Sequence, residues 1–507
     1  MYFLNRVFWL TRLRFISAGI FKSFQASVIV ISLLTAVHQI HAATYYVDNS
    51  AGSDKNNGTS TNSPWKLCPG MVGFAGAYSH TAGDIFVFRG GVVWSNSVFP
   101  LSVNLGGGSL GNNDTYTSST NWFIGRSWNR PVFDLQDLPL AGHISSSCVY
   151  VTENNVTVSD IEIRNLYIPN STTWNAYGVA SVQGFQYTSN LLVQNCYIHD
   201  WLPGIPTNNV NGSDSDFGGI FSQGANLMVV QCTVGPGDPP KGLRGNSGCA
   251  VSGSANLIQS NVFIGCTDFI NAGATNISHN IICNGTNSYD PLNHANAIYQ
   301  GLGSGGRTYI YANIIHDLDS TFQTMLLHPG SGGATNTAYY IYNNVIWNVS
   351  SPIDIDQSGI STPNSATYAY IFNNTMVGEG VGAVNRGQTD YVTEIDCENN
   401  FWINNGPLNP FMTASITGAY APVVTRIDLD NLTMIPSLAT LAGYTLANVF
   451  APTSLLSPTV GAGANLSSLA LFNTDINGNP RPAGAWDIGA YQMTPNVLTP
   501  PENFEAH

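Results

Sequence analysis

Charged side chains are scarce in this chain, at 9 % of its 507 residues. Gly is abundant, with 51 residues, which is typical of a turn-rich β protein rather than a disordered one. A helical hydrophobic period is absent, and no stretch after residue 42 reaches the ~20 apolar residues of a membrane span. These absences favour a folded β protein without membrane spans.

Basic residues are especially few. Four of the 16 lie in the first 42 residues, which hold no acidic residue, so the remainder carries 12 basic against 30 acidic side chains, a net charge of −18. Such a field repels nucleic acid and anionic membranes, so we expect neither as a partner. It also disfavours a polyanionic substrate unless a cation bridges the two.

The first 42 residues have the features of a secretory signal peptide. A basic segment precedes an apolar run at 26–37, and Ile40-His41-Ala42 has the small-residue form of a cleavage site. An uncleaved anchor is the alternative, but the run is shorter than the ~20 residues that cross a bilayer. We therefore expect cleavage after Ala42 and a secreted, periplasmic or cell-surface protein.

Eight cysteines are sparse for a chain of this length, and none has the Cys-x-x-Cys spacing of a zinc site. Export would permit disulfides. Cys196 and Cys232 occur at the same position of consecutive repeats, described next, so both are expected to point into the core. Buried thiols are favoured over a disulfide framework.

A six-residue pattern recurs along the middle of the chain, as in Ile-Tyr-Asn-Asn-Val-Ile at 341–346. It consists of a β-branched residue, two variable residues, a slot that is usually Asn, one variable residue and an apolar residue. Successive slots are 19 to 36 residues apart, a period typical of a solenoid. The slot residues are Leu166, Cys196, Cys232, Asn261, Asn280, Asn313, Asn344, Asn374 and Asn400.

The spacing within the pattern requires a corner, because both outer apolar residues can face one core only if the chain turns near the slot. Asn tolerates left-handed backbone angles, and stacked Asn amides can bond to one another about 4.8 Å apart. The sequence therefore predicts an all-β parallel β-helix. A β-sandwich with Asn-rich turns and a leucine-rich repeat explain nine copies of this frame less well.

The regions around this pattern define the predicted organisation. Residues 1–42 are the signal peptide, 43–150 an N-terminal cap with the first turns, and 151–406 the regular stack. Residues 407–493 lose the Asn frame and are expected to close the far end or run back along the stack. Residues 494–507 form a tail.

Three stretches resemble a known group of proteins. They are Tyr-Tyr-Val-Asp at 45–48 with its Gly/Asn loop and Trp65, the strand at 83–91, and 475–491, which ends in Asp-Ile-Gly-Ala-Tyr. With the Asn frame they resemble the secreted bacterial right-handed parallel β-helix proteins, the pectate-lyase-like superfamily in the wide sense. That resemblance implies the fold. Its members include lyases, glycoside hydrolases, epimerases and proteins without known activity, and the Gly-His-Gly of polygalacturonase-like hydrolases is missing here.

Ile-Asp-Ile-Asp at 353–356 is the first candidate catalytic site. Alternation places both Ile inward and Asp354 and Asp356 outward on one face, with Cα atoms about 6.6 Å apart. Such a pair could act as acid and base on a glycosidic bond. His328 lies one repeat earlier and Arg386 one repeat later, so stacking would bring all four within about three turns. Solvation of an exposed face is the alternative.

A second constellation would suit a lyase. Lys241 or Arg244 could remove the proton beside a uronate carboxylate, and Asp214 and Asp216 could hold Ca²⁺. No other cofactor is expected. Solvated loop charges are the alternative reading of these four residues.

His199-Asp200 and His316-Asp317 occupy the same repeat position and are predicted to be turn residues. Large aromatics could stack on sugars if exposed, although core positions are commoner. They are Trp174, Trp201, Trp347, Tyr299 and Tyr311.

The sequence thus predicts an exported, monomeric, carbohydrate-active enzyme, either a polysaccharide lyase or a glycoside hydrolase, acting on a polysaccharide or cell-surface glycan along the outer face of the stack. A non-catalytic adhesive or glycan-binding protein is the alternative.

Overall fold

Short β-strands joined by tight corners dominate the part of the chain that this computed structural model describes. The described residues are 42–140, 147–168, 180–203, 218–235, 249–286, 295–300, 306–320, 322–327, 337–355, 367–378, 383–386, 392–404 and 425–493. In chain order the strands are β1 Thr44–Val47, β2 Ile85–Gly90, β3 Val93–Ser95, β4 Leu101–Val103, β5 Asp114–Phe123, β6 Val132–Asp134, β7 Val149–Val151, β8 Val156–Ser159, β9 Glu162–Arg164, β10 Tyr167–Ile168, β11 Val182–Gly184, β12 Leu191–Gln194, β13 Tyr197–His199, β14 Leu202–Pro203, β15 Ile220–Val230, β16 Thr233–Val234, β17 Cys249–Gln259, β18 Val262–Ile264, β19 Asp268–Ala272, β20 Asn276–Ser278, β21 Ile281–Gly285, β22 Ala295–Gln300, β23 Gly306–Tyr311, β24 Ile314–Leu318, β25 Phe322–Leu327, β26 Thr337–Tyr342, β27 Val345–Val349, β28 Ser351–Ile355, β29 Thr367–Phe372, β30 Thr375–Gly378, β31 Val384–Arg386, β32 Glu394–Glu398, β33 Phe401–Asn404, β34 Thr425–Leu429 and β35 Leu432–Met434. The helices of these ranges are α1 Pro436–Leu441 and 3₁₀ turns at Asn96–Val98, Leu446–Asn448 and Ser467–Leu469, and none is long or apolar enough to cross a bilayer.

The strands stack in parallel rows, turn upon turn. Two rows make up a 21-stranded sheet and a third row makes up a 12-stranded sheet. One turn, or rung, consists for example of β28, β29 and β30, and each of these pairs with strands of the neighbouring rungs. Buried side chains then follow one another in register, as do Ile310, Ile341, Ile371 and Cys397. The predicted right-handed parallel β-helix is confirmed.

The predicted Asn ladder is present and runs inside the stack. Asn344 Nδ2 donates to Oδ1 of Asn374 at 2.9 Å and to the Ile310 carbonyl at 2.9 Å. The next links lead through Asn374 and Asn400 to Asn431, one rung beyond the last predicted copy. Asn431 was missed because its flanking positions, Asp428 and Thr433, are polar. Residues 425–434 therefore still belong to the stack.

The left-handed corner lies one residue before the slot. Asn343, Asn373 and Asn399 have φ of 56°, 51° and 59°, which is the left-handed region. The slot residue that follows each of them does not have a positive φ. The chain therefore turns near the slot, as predicted, and the turning residue is the one before it. The corner residue turns the chain, which leaves the slot side chain free to point into the ladder.

The first predicted copy of the pattern is displaced. Strand pairing places Ile163 opposite Ile198, so the residue equivalent to Cys196 is Ile161 and not Leu166. Both Ile161 and Leu166 are buried. Two overlapping sets of apolar residues in this segment fit the pattern, and the predicted slot belongs to the wrong set.

All eight cysteines lie in described ranges, and all are buried free thiols. Cys196 and Cys232 point into the stack at consecutive slots, as predicted, and each Sγ lies near carbonyls of the rungs at 3.4 to 3.6 Å. Burial raises the pKa of the Cys232 thiol well above its ordinary value. The preference for buried thiols is confirmed.

The first rung begins with β1, which pairs with β2 from Thr44 opposite Ile85 onward. Tyr45 covers Trp65 with ring centroids 4.7 Å apart, and Phe86 continues the aromatic stack to Tyr116 at 4.9 Å. The Gly- and Asn-rich loop after β1 is thereby fixed against the sheet by one buried indole.

Residues 435–493, here called the return segment, run back along the outside of the stack. Asn399 Nδ2 donates to the Ala464 carbonyl at 2.9 Å, and Asn373 Nδ2 donates to that of Asp487 at 2.9 Å. One rung further back, Asn343 donates to the Thr474 carbonyl at 2.9 Å. The corner amides of three successive rungs thus bind this segment.

The Asp-Ile-Gly-Ala-Tyr motif lies at the closest approach to the stack. Gly489 has φ of 91°, its N–H donates to the Asn399 carbonyl at 2.7 Å, and a side chain there would come within 2.7 Å of Thr375 Oγ1. Thr375 Oγ1 accepts the Ala490 N–H at 3.0 Å. Glycine is therefore required at this position by both conformation and space.

Candidate functional site

Asp354 is the one residue of the first predicted site whose side chain the structure describes. Ile353 and Ile355 are fully buried, as the alternation predicts, and the half-buried Asp354 accepts a hydrogen bond from Ser351 Oγ at 2.8 Å. Asp356 and His328 lie outside the described residues. For Arg386 only the backbone is described, and it pairs with Ile355 on the next rung. The predicted grouping therefore stays a prediction.

The second predicted constellation lies outside the described residues altogether. This holds for Lys241, Arg244, Asp214 and Asp216, so the calcium site remains a prediction. Across the described ranges no group of three or more His, Cys, Asp or Glu side chains is placed to hold a metal ion.

The two His-Asp pairs are corner residues, as predicted. Asp200 and Asp317 have φ of 58° and 54°, and each accepts a hydrogen bond from the preceding His Nδ1, at 2.8 and 2.7 Å. The His316 ring stacks on Trp347 with centroids 4.3 Å apart. Trp201 and Trp347 are buried, so neither is a sugar platform, and Trp174 lies outside the described ranges.

A column of tyrosines runs along the outer face of the large sheet. Tyr309, Tyr340 and Tyr370 are in register on β23, β26 and β29, with ring centroids 5.1 and 5.0 Å apart and planes within 20°. We call these three residues the tyrosine column. Because each ring covers the face of the next, the column presents ring edges rather than open faces. It therefore offers a row of polar edges and not a set of stacking platforms.

Three carboxylates continue the outer face on the next rung. In Glu-Ile-Asp-Cys-Glu at 394–398, Ile395 and Cys397 point inward and are buried, so Glu394, Asp396 and Glu398 point outward. Asp396 pairs with Tyr370 and thus stands at the end of the tyrosine column. We call these three acids the acidic cluster.

Asp396 is the most perturbed acid of the cluster. Its side chain is 8 % exposed, and none of the described N–H or O–H groups donates to its Oδ1. Burial, followed by the Glu398 charge and a hydrogen bond shared with Glu398, raises the pKa of Asp396 to about 7. Burial also raises the pKa of Glu398. Asp396 therefore titrates near neutral pH, and its titration is coupled to that of Glu398.

Opposite charges mark the two ends of the column. Arg307 is exposed and hydrogen-bonds Tyr309 at one end, whereas the acidic cluster occupies the other. Burial and then the Glu394 charge raise the pKa of Tyr370 to about 12, so its hydroxyl stays protonated. Three rung spacings of ~4.8 Å separate the ends, about 14 Å in all.

The return segment forms a wall beside the column. Leu466 and Trp486 pack on Tyr342 and Phe372, and Phe472 stacks on Tyr342 with centroids 4.6 Å apart. Tyr340 and Tyr370 lie at the edge of this apolar contact and remain half-buried. The wall therefore covers one side of the tyrosine column.

Sequence reasoning missed this site although a signal was available. Glu-Ile-Asp-Cys-Glu places three carboxylates on one face, and Tyr-Ala-Tyr-Ile-Phe at 368–372 places three aromatics on the same face one repeat earlier.

Comparisons with known proteins identify no family for this chain and find only distant structural similarity. No known protein family and no curated protein sequence matches the chain. Among solved structures it is similar to pectate lyase Pel9A, at 16 % identity and a TM-score of 0.41 over 90 % of this chain and 98 % of that one. It is also similar to a GH136 lacto-N-biosidase from Eubacterium ramulus, at 14 % identity and a TM-score of 0.44 over 80 % and 71 % of the two chains. XylC in complex with xylose matches at 9 % identity and a TM-score of 0.39 over 89 % and 98 %.

Proposed function

We propose that this protein is an exported glycoside hydrolase that binds a polysaccharide along the tyrosine column and cleaves it at the acidic cluster. One observation carries the proposal. Asp396, at the end of the column, is buried beside Glu398, and burial followed by the Glu398 charge raises its pKa to about 7. A general acid works best when its pKa lies near the working pH, and protonation of the leaving oxygen is what glycoside hydrolysis requires.

The three acids have separate roles in this proposal. Glu398 shares a hydrogen bond with Asp396 and is therefore too close to flank a glycosidic bond together with it, since paired glycosidase carboxyls stand at least ~5 Å apart. Glu398 holds the proton on Asp396. Glu394, two residues away on the same face, is the second carboxylate, acting on the sugar or on water.

The charge distribution selects a neutral glycan. The chain carries 30 acidic against 16 basic residues, and the cluster itself is negative, so a polyuronate would be repelled at the point of cleavage. Tyr hydroxyl groups, by contrast, can donate and accept hydrogen bonds with sugar hydroxyls. A lyase acting through Lys241, Arg244 and a Ca²⁺ on Asp214 and Asp216 is the competing chemistry.

Reducing-end release from neutral and acidic polysaccharides, with and without Ca²⁺, tests the proposal. We expect release from a neutral glycan, and loss of at least about 100-fold in Asp396→Asn, which cannot donate the proton in acid catalysis. Glu153→Gln removes a half-buried acid from the turn between β7 and β8 and should change nothing.

Two outcomes would redirect the assignment. Loss in the paired variant Asp354→Asn, Asp356→Asn, with full activity in Asp396→Asn, would move the site to the carboxylates at 354 and 356. Binding of a glycan without any release would support the adhesive or glycan-binding role instead.

A further inference from the structure

Asp84 is a carboxylate buried completely at the start of the stack. It is 0 % exposed, and its three hydrogen-bond donors are the backbone N of Ala43 at 2.8 Å, the hydroxyl of Tyr78 at 2.9 Å and the backbone N of Thr81 at 3.0 Å. Tyr78 and Thr81 bind Oδ2, so Ala43 is the donor to Oδ1. In the uncleaved chain all three donor groups are uncharged.

No cationic side chain of the described residues forms an ion pair with Asp84. The neighbouring carboxylate of Asp114 is also buried, and its pKa is raised first by burial and in part by the Asp84 charge. His80 bonds Asp114 at 2.7 Å. A buried carboxylate beside a second one is costly unless a positive charge is paired with it.

Ala43 lies where such a charge can arise. The compact unit of the chain begins at Ala42, which is exposed, and Ala43 is half-buried one residue before β1. The Ala43 carbonyl accepts the Ile85 N–H at 2.8 Å, so its backbone is held against β2 on both sides of the residue. A cut between Ala42 and Ala43 would leave an α-amino group at the atom that already contacts Asp84.

We infer that Ala43 is the N-terminal residue of the mature protein and that Asp84 is the built-in receptor for its α-ammonium group. In the cut, a leader peptidase adds water across the Ala42–Ala43 amide, which gives a carboxylate on Ala42 and an amine on Ala43 that takes up a proton. The neutral N–H contact becomes an ammonium–carboxylate pair. Removal of the leader therefore strengthens the first rung, because Ala43, next to β1, then carries the positive charge that balances Asp84.

A double-mutant cycle tests the pair. Two chains are compared, one beginning at Ala43 and one extended by Ala42 alone, each with Asp84 intact and with Asp84→Asn. We expect the extension to reduce the equilibrium constant for folding at least tenfold when Asp84 is intact and less than twofold in D84N. An equal effect of the extension in both backgrounds would overturn the inference.

Two further measurements do not require D84N to fold. N-terminal mass spectrometry of the exported full chain should find Ala43 first, and any other mature terminus would refute the proposal. The α-amino pKa, followed by the pH dependence of amine acylation, should lie above the ~7.7 of an unfolded terminus. Tyr45, Tyr78, His80, Asp114 and Tyr116 are other titratable groups around Asp84, so the acylated site is identified by peptide mapping.

A raised α-amino pKa fixes the sign of the pH effect. The stabilisation is fully present below the pKa of the unfolded terminus and is lost as pH rises through the higher folded pKa. The chain that begins at Ala43 should therefore no longer be more stable than the extended chain above about pH 9 to 10. An advantage that is independent of pH would show that the pair is not ionic.

Discussion

Asp396 links the chemistry of the candidate site to the free energy of unfolding. An unfolded Asp has a pKa of ~3.9, whereas burial and Glu398 raise the pKa of this one to about 7. Between these values the folded protein holds a proton that the unfolded chain has lost. Stability therefore falls as pH rises from about 4 to about 7, and the loss is complete above that window.

Asp396→Asn should consequently stabilise the protein while it abolishes activity. Asn cannot ionise, and its amide can still donate to Glu398. We expect a gain of about 2 to 4 kcal/mol at pH 8 and little change at pH 4. Denaturant unfolding at both pH values measures this, with Glu153→Gln as the control. Equal destabilisation at both pH values would show that the carboxyl group is needed for packing and not tuned for proton transfer.

Asn344 shows how much a single residue of the ladder contributes to the free energy of unfolding. Its side chain is fully buried and bonds the Ile310 carbonyl and Asn313 of the preceding rung and Asn374 of the next rung. Asn344→Leu keeps the size of the side chain but leaves several buried polar groups unsatisfied. We expect a loss of about 3 to 5 kcal/mol in the free energy of unfolding.

The matched control for Asn344→Leu is Cys196→Ala, at the same slot of an earlier rung. That slot contains no ladder amide, so only a small apolar group is lost and the cost should be about 1 kcal/mol. Equal costs at the two slots would mean that ladder hydrogen bonds add no more than packing does.

At the scale of elements, the sequence pattern located the regular rungs correctly but misplaced the first slot and missed the last one. Slots from Asn261 to Asn400 were found because a buried amide between apolar flanks leaves a periodic trace. Ile161 was missed because an apolar slot does not stand out among apolar neighbours. Asp396 was missed because its raised pKa depends first on burial and then on Glu398, and burial is set only by the folded structure.

The return segment is held by a buried cation. Arg481 is 7 % exposed, donates to Asn343 Oδ1 at 2.8 Å and to the Gly489 carbonyl at 3.2 Å, and lies over the rings of Phe472 and Trp486. Asp475 and Asp487 supply the neighbouring negative charge. Burial lowers the pKa of Arg481 to about 10, so it stays charged at neutral pH.

Arg481→Met should release the return segment without unfolding the central rungs. It leaves two buried carboxylates without their cation, at a cost of about 3 to 5 kcal/mol. We expect faster hydrogen exchange over 459–493 and unchanged exchange over 249–286. Arg426→Met, which removes a surface ion pair to Asp428 at 3.5 Å, should cost less than about 1 kcal/mol. Equal protection of 459–493 in wild type and R481M would contradict this role.

On the scale of the whole molecule, stability is distributed along a one-dimensional array in which each rung contacts its neighbours. The eight buried thiols are distributed along that array, from Cys68 near the first rung to Cys397 near the last described rung. A buried thiol reacts only when its rung opens, so each cysteine reports the local free energy of opening.

Thiol labelling under native conditions should therefore follow a gradient. Cys397 is followed by one described rung, β34, whose Arg426 and Asp428 are exposed, whereas Cys196 and Cys232 are covered by several rungs on both sides. We expect Cys397 to react at least tenfold faster than Cys232, with rates resolved by peptide mass spectrometry. One common rate for all eight thiols would instead mean that the stack opens only as a single cooperative unit. The unfolding midpoint should also be the same with and without reductant, because these thiols are free.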